Sequence, residues 1–493
     1  MKKLAKETAI YGVSSILGKF LNWLLVPLYV YVLDSSADYG VVTNLYSWTA
    51  LLLVVLTYGM ETGFFRFANK NKEKSEEVYS TTLLSVGGTS LIFALFCIFF
   101  SQQIANGLGY EQYPEYIRMM GITVAIDAFA SIPFAYLRFI NRPIKFAAIK
   151  FLYVALNIVF NVFFLVACPW LEKHSPGTVN WFYNPNYGVG YIFVSNILST
   201  IIQTLALLPY IISVKYTFNF NLLKSILRYS LPLLVLGIAG IMNQTLDKIL
   251  YPFLKPGIEG ASELGIYGAT SKIALVMLMF TQAFRYAYEP FIFAQNKDKE
   301  SKSAYADAMK YFVIFSLLIF LGMMLYLDII KYVLPNKEYW EGISIVPIVL
   351  VSFIFQGIFF NLSLWYKLTD KTMYGAWFSV LGTVIIVVGN VLLVPKFGYT
   401  GSAWSAFACY FVIMLVSYYF GQKHMPIKYD LKTIGLYTLL TIAIFIISIF
   451  IKTPYPVVNY ALKTILLAIF FFVLLKRDFP IKSIPYIQRF INK

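Results

Sequence analysis

The chain has 493 residues, of which 59% are apolar and only 13% charged. Soluble domains carry about 25% charged residues, so roughly half the usual charge is missing, and a mean hydropathy of +0.69 makes lipid the main solvent; disordered, collagen-like and coiled-coil classes are excluded. The formal charge of +16 sits mostly in short loops between apolar runs, which reads as membrane orientation rather than nucleic-acid binding.

A membrane-crossing helix needs about 20 mostly apolar residues. In chain order such runs lie near 9–33, 40–64, 79–101, 117–138, 146–168 and 188–214. They continue near 229–252, 265–294, 311–330, 343–366, 374–394, 402–420, 433–451 and 457–475. The expectation is an all-α polytopic membrane protein with about fourteen spans. The first run is too long for a cleavable signal peptide and no small-residue cleavage site follows it. With the N-terminus in the cytoplasm, 28 of the 40 Lys and Arg fall on that side, 8 on the other and four inside spans. This is a positive-inside bias that predicts both termini in the cytoplasm. Cys97, Cys168 and Cys409 are far apart and fit neither a disulfide framework nor a metal spacing. The two histidines, His174 and His424, fall in loops, so no metal or histidine-based catalytic site is expected.

Sliding the chain by 225 residues reveals a weak repeat. Leu21, Leu25 and Pro27 meet Leu246, Leu250 and Pro252; Asp38-Tyr39-Gly40 meets Glu263-Leu264-Gly265; Asn71-Lys72-Glu73-Lys74 meets Asn296-Lys297-Asp298-Lys299. At a shift of 229, Asn161 meets Asn390. Six spans per repeat is an even number, so both halves insert the same way. The predicted organisation is 1–214 as a first lobe, 215–421 as a second, 422–476 as two additional helices and 477–493 as a cytoplasmic tail. A cleft between the lobes is the expected cargo site.

Ionisable groups inside hydrocarbon cost about 2.5–3.5 kcal/mol each on insertion scales and therefore tend to line a wet interior. The first span carries Lys19, with Asn22 and Trp23 near it; at the repeat shift Lys19 meets Gln244 and Asn22 meets Asp247. The seventh span adds Lys248, the eighth Lys272, Arg285 and Glu289, the fourth Asp127, and the second ends at Glu61. Lys19, Asn22, Asp247, Lys248, Lys272 and Arg285 are the expected cargo-binding set. Asp127, Asp247, Glu61 and Glu289 are the candidates for coupling to H⁺ or Na⁺, with snorkelling as the competing reading for Glu61 and Glu289. Asp247 and Lys248 are chain neighbours pointing about 100° apart on a helix, so neither is expected to satisfy the other. The excess of basic groups favours an anionic cargo such as a phosphate. Trp23 and most other aromatics read as interfacial belts or helix packing. Gly12 through Lys19 imitates a phosphate loop, but it has five residues between its glycines and Phe20 in place of Ser or Thr, which excludes a nucleotide site.

The segment Tyr11-Gly-Val-Ser-Ser-Ile-Leu-Gly18, the Asp38-Tyr39-Gly40 turn, Gln244-Thr-Leu-Asp247-Lys248 and Glu263-Leu-Gly-Ile-Tyr267 together resemble the polysaccharide transporters of the multidrug/oligosaccharidyl-lipid/polysaccharide (MOP) flippase superfamily, the Wzx-type O-antigen and capsule flippases. The resemblance implies two six-helix lobes around a cationic cavity and a non-enzymatic function. That function is movement of an undecaprenyl-diphosphate-linked oligosaccharide across the bacterial cytoplasmic membrane by alternating access, without a cofactor. It implies as partners the lipid-linked oligosaccharide, membrane lipids, and the polymerase and glycosyltransferases of the same pathway, with no nucleic acid. The alternatives are a MATE-type drug/cation antiporter, which wants an acid-dominated first lobe where only Asp127 is available, and a lipid II flippase. The lipid II flippases carry cavity arginines in the first, second and eighth spans, whereas here the second has no basic residue before Arg66. A major-facilitator protein would show a charged G-x-x-x-D-R loop where 66–77 reads RFANKNKEKSEE. A membrane glycosyltransferase would want clustered acids in an outer loop, and 169–187 offers only Glu172.

Overall fold

The computed structural model describes residues 17–478 apart from Lys19, Asn22, Asn71, Pro176, 296–300, Asp370 and Lys452. Lys19 and Asn22 therefore lie outside the described residues, as do most of the Gly12–Lys19 segment, the repeat match at 296–299 and the tail from 479.

The described chain is helical throughout. The helices that matter are α1 (Leu25–Val32), α2 (Ser36–Thr57), α3 (Met60–Lys70), α4 (Ser75–Phe99), α5 (Pro114–Phe139), α6 (Pro143–Val162) and α7 (Gly190–Ile212). The second half supplies α8 (Phe220–Leu254), α9 (Ile258–Ile273), α10 (Leu275–Gln295), α11 (Ser301–Leu325), α12 (Val346–Leu362), α13 (Met373–His424), α14 (Leu431–Phe450) and α15 (Pro456–Arg477). Eleven described helices are long and apolar enough to cross a membrane, twelve if the bent pair α9–α10 counts as one span. The expected fourteen are not reached in that count. The first span is described only from Leu17, and the predicted eleventh and twelfth lie within the 52-residue α13, broken by non-helical backbone at Gly398.

Local chemistry sets the boundaries. Ser35 and Asp38 form a reciprocal capping box at the start of α2. Asn219 Oδ1 accepts from Leu222 N–H at 3.0 Å ahead of α8, and Asp430 Oδ1 accepts from Thr433 N–H at 3.0 Å ahead of α14. Those Thr433 hydrogen bonds hold the Asp430 carboxyl below the usual carboxylate range. The second span is split between α2 and α3 by two residues in the left-handed region, Tyr58 (φ 29°) and Gly59 (φ 72°). An added Cβ at Gly59 would lie 2.8 Å from the Ser230 carbonyl oxygen of α8.

Large apolar side chains such as Phe450 and Val457, each 80% exposed, point away from the bundle, as lipid-facing surface does. Polar groups are turned inward. Asn161 and Asn390, matched by the repeat, are both fully buried and bond alike: each Nδ2 donates to the carbonyl four residues back, at 2.7 and 2.8 Å. The closest approach between the halves is α2 against α9. An added Cβ on Gly40 would run into the Ala261 carbonyl, and one on Gly265 into the Ser36 carbonyl. The same end is stitched by Ser36 Oγ with Ser262 Oγ at 2.6 Å and by Ser36 Oγ–H donating to Glu338. The final pair, α14 and α15, docks on α11 and is fastened at both ends, by Lys463 Nζ on Asp328 Oδ2 at 2.8 Å and by Tyr311 Oη–H of α11 on Asp478 O at 3.0 Å, while Tyr437 Oη–H on Asp478 Oδ2 at 2.8 Å joins α14 to the end of α15.

Candidate functional site: a chamber between the halves

The α2–α9 contact closes one end of a cavity of about 320 Å³ built from both halves of the chain. The first half contributes the inward stripe of α2, including Tyr39, Thr43, Tyr46 and Ser47. The second contributes Asn243, Gln244, Asp247 and Lys248 from α8, Tyr267 and Lys272 from α9, Phe353 from α12 and Tyr410 from α13. The back wall is fixed by its own hydrogen bonds. Asn243 Nδ2 donates to Ser379 O at 3.2 Å and Thr383 Oγ1 donates to Asn243 Oδ1 at 3.0 Å. Tyr410 Oη donates to Asn243 O at 3.1 Å.

Three of the six expected cargo residues, Asp247, Lys248 and Lys272, line this chamber. Lys19 and Asn22 lie outside the described residues. Arg285 is not in the lining; it sits farther along α10, its guanidinium 5.6 Å from the centre of the Phe360 ring. Glu289 is also on α10, its side chain outside the described residues.

Asp247 and Lys248 do satisfy one another, contrary to the expectation from their angular spacing. Lys248 Nζ lies 2.8 Å from Asp247 Oδ2 and 3.0 Å from Oδ1. The 100° argument fixes only where the Cα–Cβ bonds point; a four-carbon stem curls back across that angle. The Tyr267 hydroxyl completes the carboxylate at 2.6 Å, leaving Asp247 only 3% exposed. Lys272 lines the same space with no carboxylate partner among the described residues. Among the described residues two ammonium groups thus stand against one carboxylate, and the uncompensated charge is carried by Lys272. Lys248→Ala should destabilise the protein by more than any other lining substitution, because it strands a buried charge; breaking such pairs costs about 3–5 kcal/mol, less here because Lys248 is partly exposed. Thermal unfolding in detergent should show a lowered midpoint that the added Asp247→Asn change restores.

Asp127 and Glu61 belong to a different cavity, about 440 Å³, inside the first half. Glu61 is ion-paired to Arg138 rather than snorkelling. Lys150 is in the third turn of α6 and lines this cavity, its Nζ 3.9 Å from the centre of the Phe134 ring. Gln203, 2% exposed, places Oε1 there without a hydrogen-bond partner among the described residues. The first-half cavity is therefore balanced, two acids with two bases, and not acid-dominated. Neither Lys150 nor Arg138 was singled out in the sequence, because each sits beside a basic loop and reads as part of it.

A family model described as polysaccharide biosynthesis protein matches residues 4–293, more than half of the chain. The chain belongs to this polysaccharide biosynthesis family. No curated protein sequence matches it. Among solved structures it is similar to the lipid II flippase MurJ in an inward closed conformation, at 12% identity over 94% of this chain and 98% of that one, TM-score 0.75. It is also similar to an inward-facing multidrug resistance MATE family transporter of the MOP superfamily, at 14% identity, coverage 85% and 96%, TM-score 0.66. A third likeness is a MOP superfamily transporter from Pyrococcus furiosus, at 14% identity, coverage 85% and 95%, TM-score 0.56. The fold is that of the MOP superfamily. With its family and its apolar helices, the chain is a multi-pass membrane protein of polysaccharide biosynthesis.

Proposed function

We propose that this protein is a flippase that moves an undecaprenyl-diphosphate-linked oligosaccharide from the inner to the outer leaflet of the bacterial cytoplasmic membrane. On this reading 1–214 and 215–421 are lobes that rock about the chamber, with both termini in the cytoplasm. The observation that supports it most is the chamber's charge: Lys272 uncompensated beside a Lys248 already held by Asp247. A poorly hydrated ammonium holds a phosphate oxygen far better than a cationic drug. The chamber lies near the small end of ligand cavities, about 300–1,000 Å³, so the loaded state is wider than the one described. The polyprenyl tail stays in lipid while the diphosphate and first sugars enter. The balanced cavity of Asp127, Lys150, Glu61 and Arg138 speaks against a cation antiporter, and its carboxylates are the proposed route for H⁺ or Na⁺ coupling.

The test is flipping in proteoliposomes of a fluorescent polyprenyl-diphosphate oligosaccharide beside the same glycan on an uncharged polyprenyl carrier. The expected result is transport of the diphosphate alone, stimulated by an imposed H⁺ or Na⁺ gradient, with Asp127→Asn losing the stimulation but not the basal flipping. Equal transport of both carriers would overturn the reading.

A further inference from the structure

The main-chain carbonyls of the chamber's two lysines each accept a hydrogen bond from the other half of the chain. Asn44 Nδ2 on α2 donates to Lys248 O at 2.8 Å, and Trp23 Nε1 donates to Lys272 O at 2.9 Å. Carbonyls inside a helix are ordinarily taken by the amide four residues on; four on from Lys248 stands Pro252, which has no N–H to give, so Asn44 satisfies a carbonyl the helix leaves open, and near Lys272 the reaching side chain goes with a kink. Lys272 stands two residues before the break at Ala274, where α9 and α10 turn by 46°. Asn44 is 1% exposed and is itself held, its Oδ1 accepting from the Tyr110 hydroxyl at 3.0 Å. The Trp23 ring is stacked on Phe20, 5.9 Å between centroids. Trp23 is thus not simply an interfacial belt residue.

The repeat relates the two bonds. A shift of 225 carries Trp23 onto Lys248, and carries Asn44 onto Ala269, three residues before Lys272. One bond therefore joins Asn44 to the position equivalent to Trp23, and the other joins Trp23 to a position one helical turn beyond the equivalent of Asn44. Two matching seams between the halves each end on a chamber lysine.

We infer that Trp23 and Asn44 are positioning residues that tie the placement of the two ammonium groups to the approach of the halves. Each bond forms when its seam closes and breaks when the seam parts, so rocking re-aims Lys272 through Trp23 and Lys248 through Asn44. Neither donor touches cargo. Because both bonds end on main chain, they survive replacement of the lysine side chains, and the inference does not depend on what the cargo is.

That independence allows a crossed test with the full chain in nanodiscs. Lys272→Cys serves as one thiol reporter and Lys248→Cys, with Asp247→Asn to avoid a stranded charge, as the other; Cys97, Cys168 and Cys409 are buried. The rate of modification by a water-soluble methanethiosulfonate is measured with and without Trp23→Phe, which keeps an aromatic ring and loses the N–H, or Asn44→Leu, which keeps the size and loses the donor. Trp23→Phe should change the rate at position 272 by about fivefold, the effect of one neutral hydrogen bond, and leave position 248 nearly unchanged. Asn44→Leu should do the reverse. Equal changes at both positions would show general loosening, and no change at the matched position would show an idle contact; either overturns the inference. If Asn44→Leu does not fold, the Trp23→Phe arm decides alone.

Discussion

Lys272→Ala should reduce flipping of a polyprenyl-diphosphate glycan by roughly ten- to hundredfold at unchanged membrane level. That range corresponds to the loss of one hydrogen bond to a charged group, about 1.5–3 kcal/mol. The reason lies in how the chamber distributes charge. Lys248 already has a carboxylate at 2.8 Å and must be shared, whereas Lys272 has no carboxylate among the described residues and is the group an incoming anion meets unopposed. Lys272→Arg, which keeps a permanent charge and adds a fork of donors, should retain most of the activity. Initial rates in reconstituted vesicles, with the protein quantified by blot, measure both. Wild-type rates in Lys272→Ala would remove the electrostatic grip from the mechanism.

The second large effect is expected where the halves touch. Ser36 and Ser262 bring their hydroxyl oxygens to 2.6 Å on helices whose backbones meet at Gly40 and Gly265. In the double variant Ser36→Cys, Ser262→Cys, oxidation should form a disulfide in high yield, since the two backbones already approach closely enough for one. Flipping should stop on oxidation and return on reduction. An oxidised, cross-linked protein that still transports would show that this end never opens during the cycle. Gly265→Leu should be inactive without any oxidant, because its side chain has no space between α9 and the Ser36 carbonyl of α2.

Much of the architecture was legible because hydropathy is written directly along the chain. Runs near 311–330 or 433–451 have no competing reading, whereas the second run is expected from 40 with Asp38-Tyr39-Gly40 as a turn, and the capping box of Ser35 with Asp38 instead starts α2 at Ser36. The chamber was legible in part. Asp247, Lys248 and Lys272 stand out as charges in apolar runs, and the repeat matched the stretch around Asp247 to the polar stripe of the first span. What escaped prediction depends on side-chain reach and helix phase. Arg285 shares an apolar run with Lys272, but a 46° bend lies between them, which a hydropathy run does not register. Lys150 was hidden by the basic loop beside it. Asn44 carries no charge and Trp23 looked like an interfacial aromatic, so neither betrays in sequence a partner more than two hundred residues away.

The docking of α14 and α15 has a practical consequence. These helices rest on α11 through a narrow apolar face and a few fastenings, Lys463–Asp328 and the Tyr311–Asp478 hydrogen bond among them, while side chains such as Phe450, Val457 and Phe472 look outward. Acyl chains supply the rest of their surroundings. Solubilised in harsh micelles, this hairpin should be the first part to fray and the first to be clipped by protease, long before the central bundle gives way, and added phospholipid should protect it.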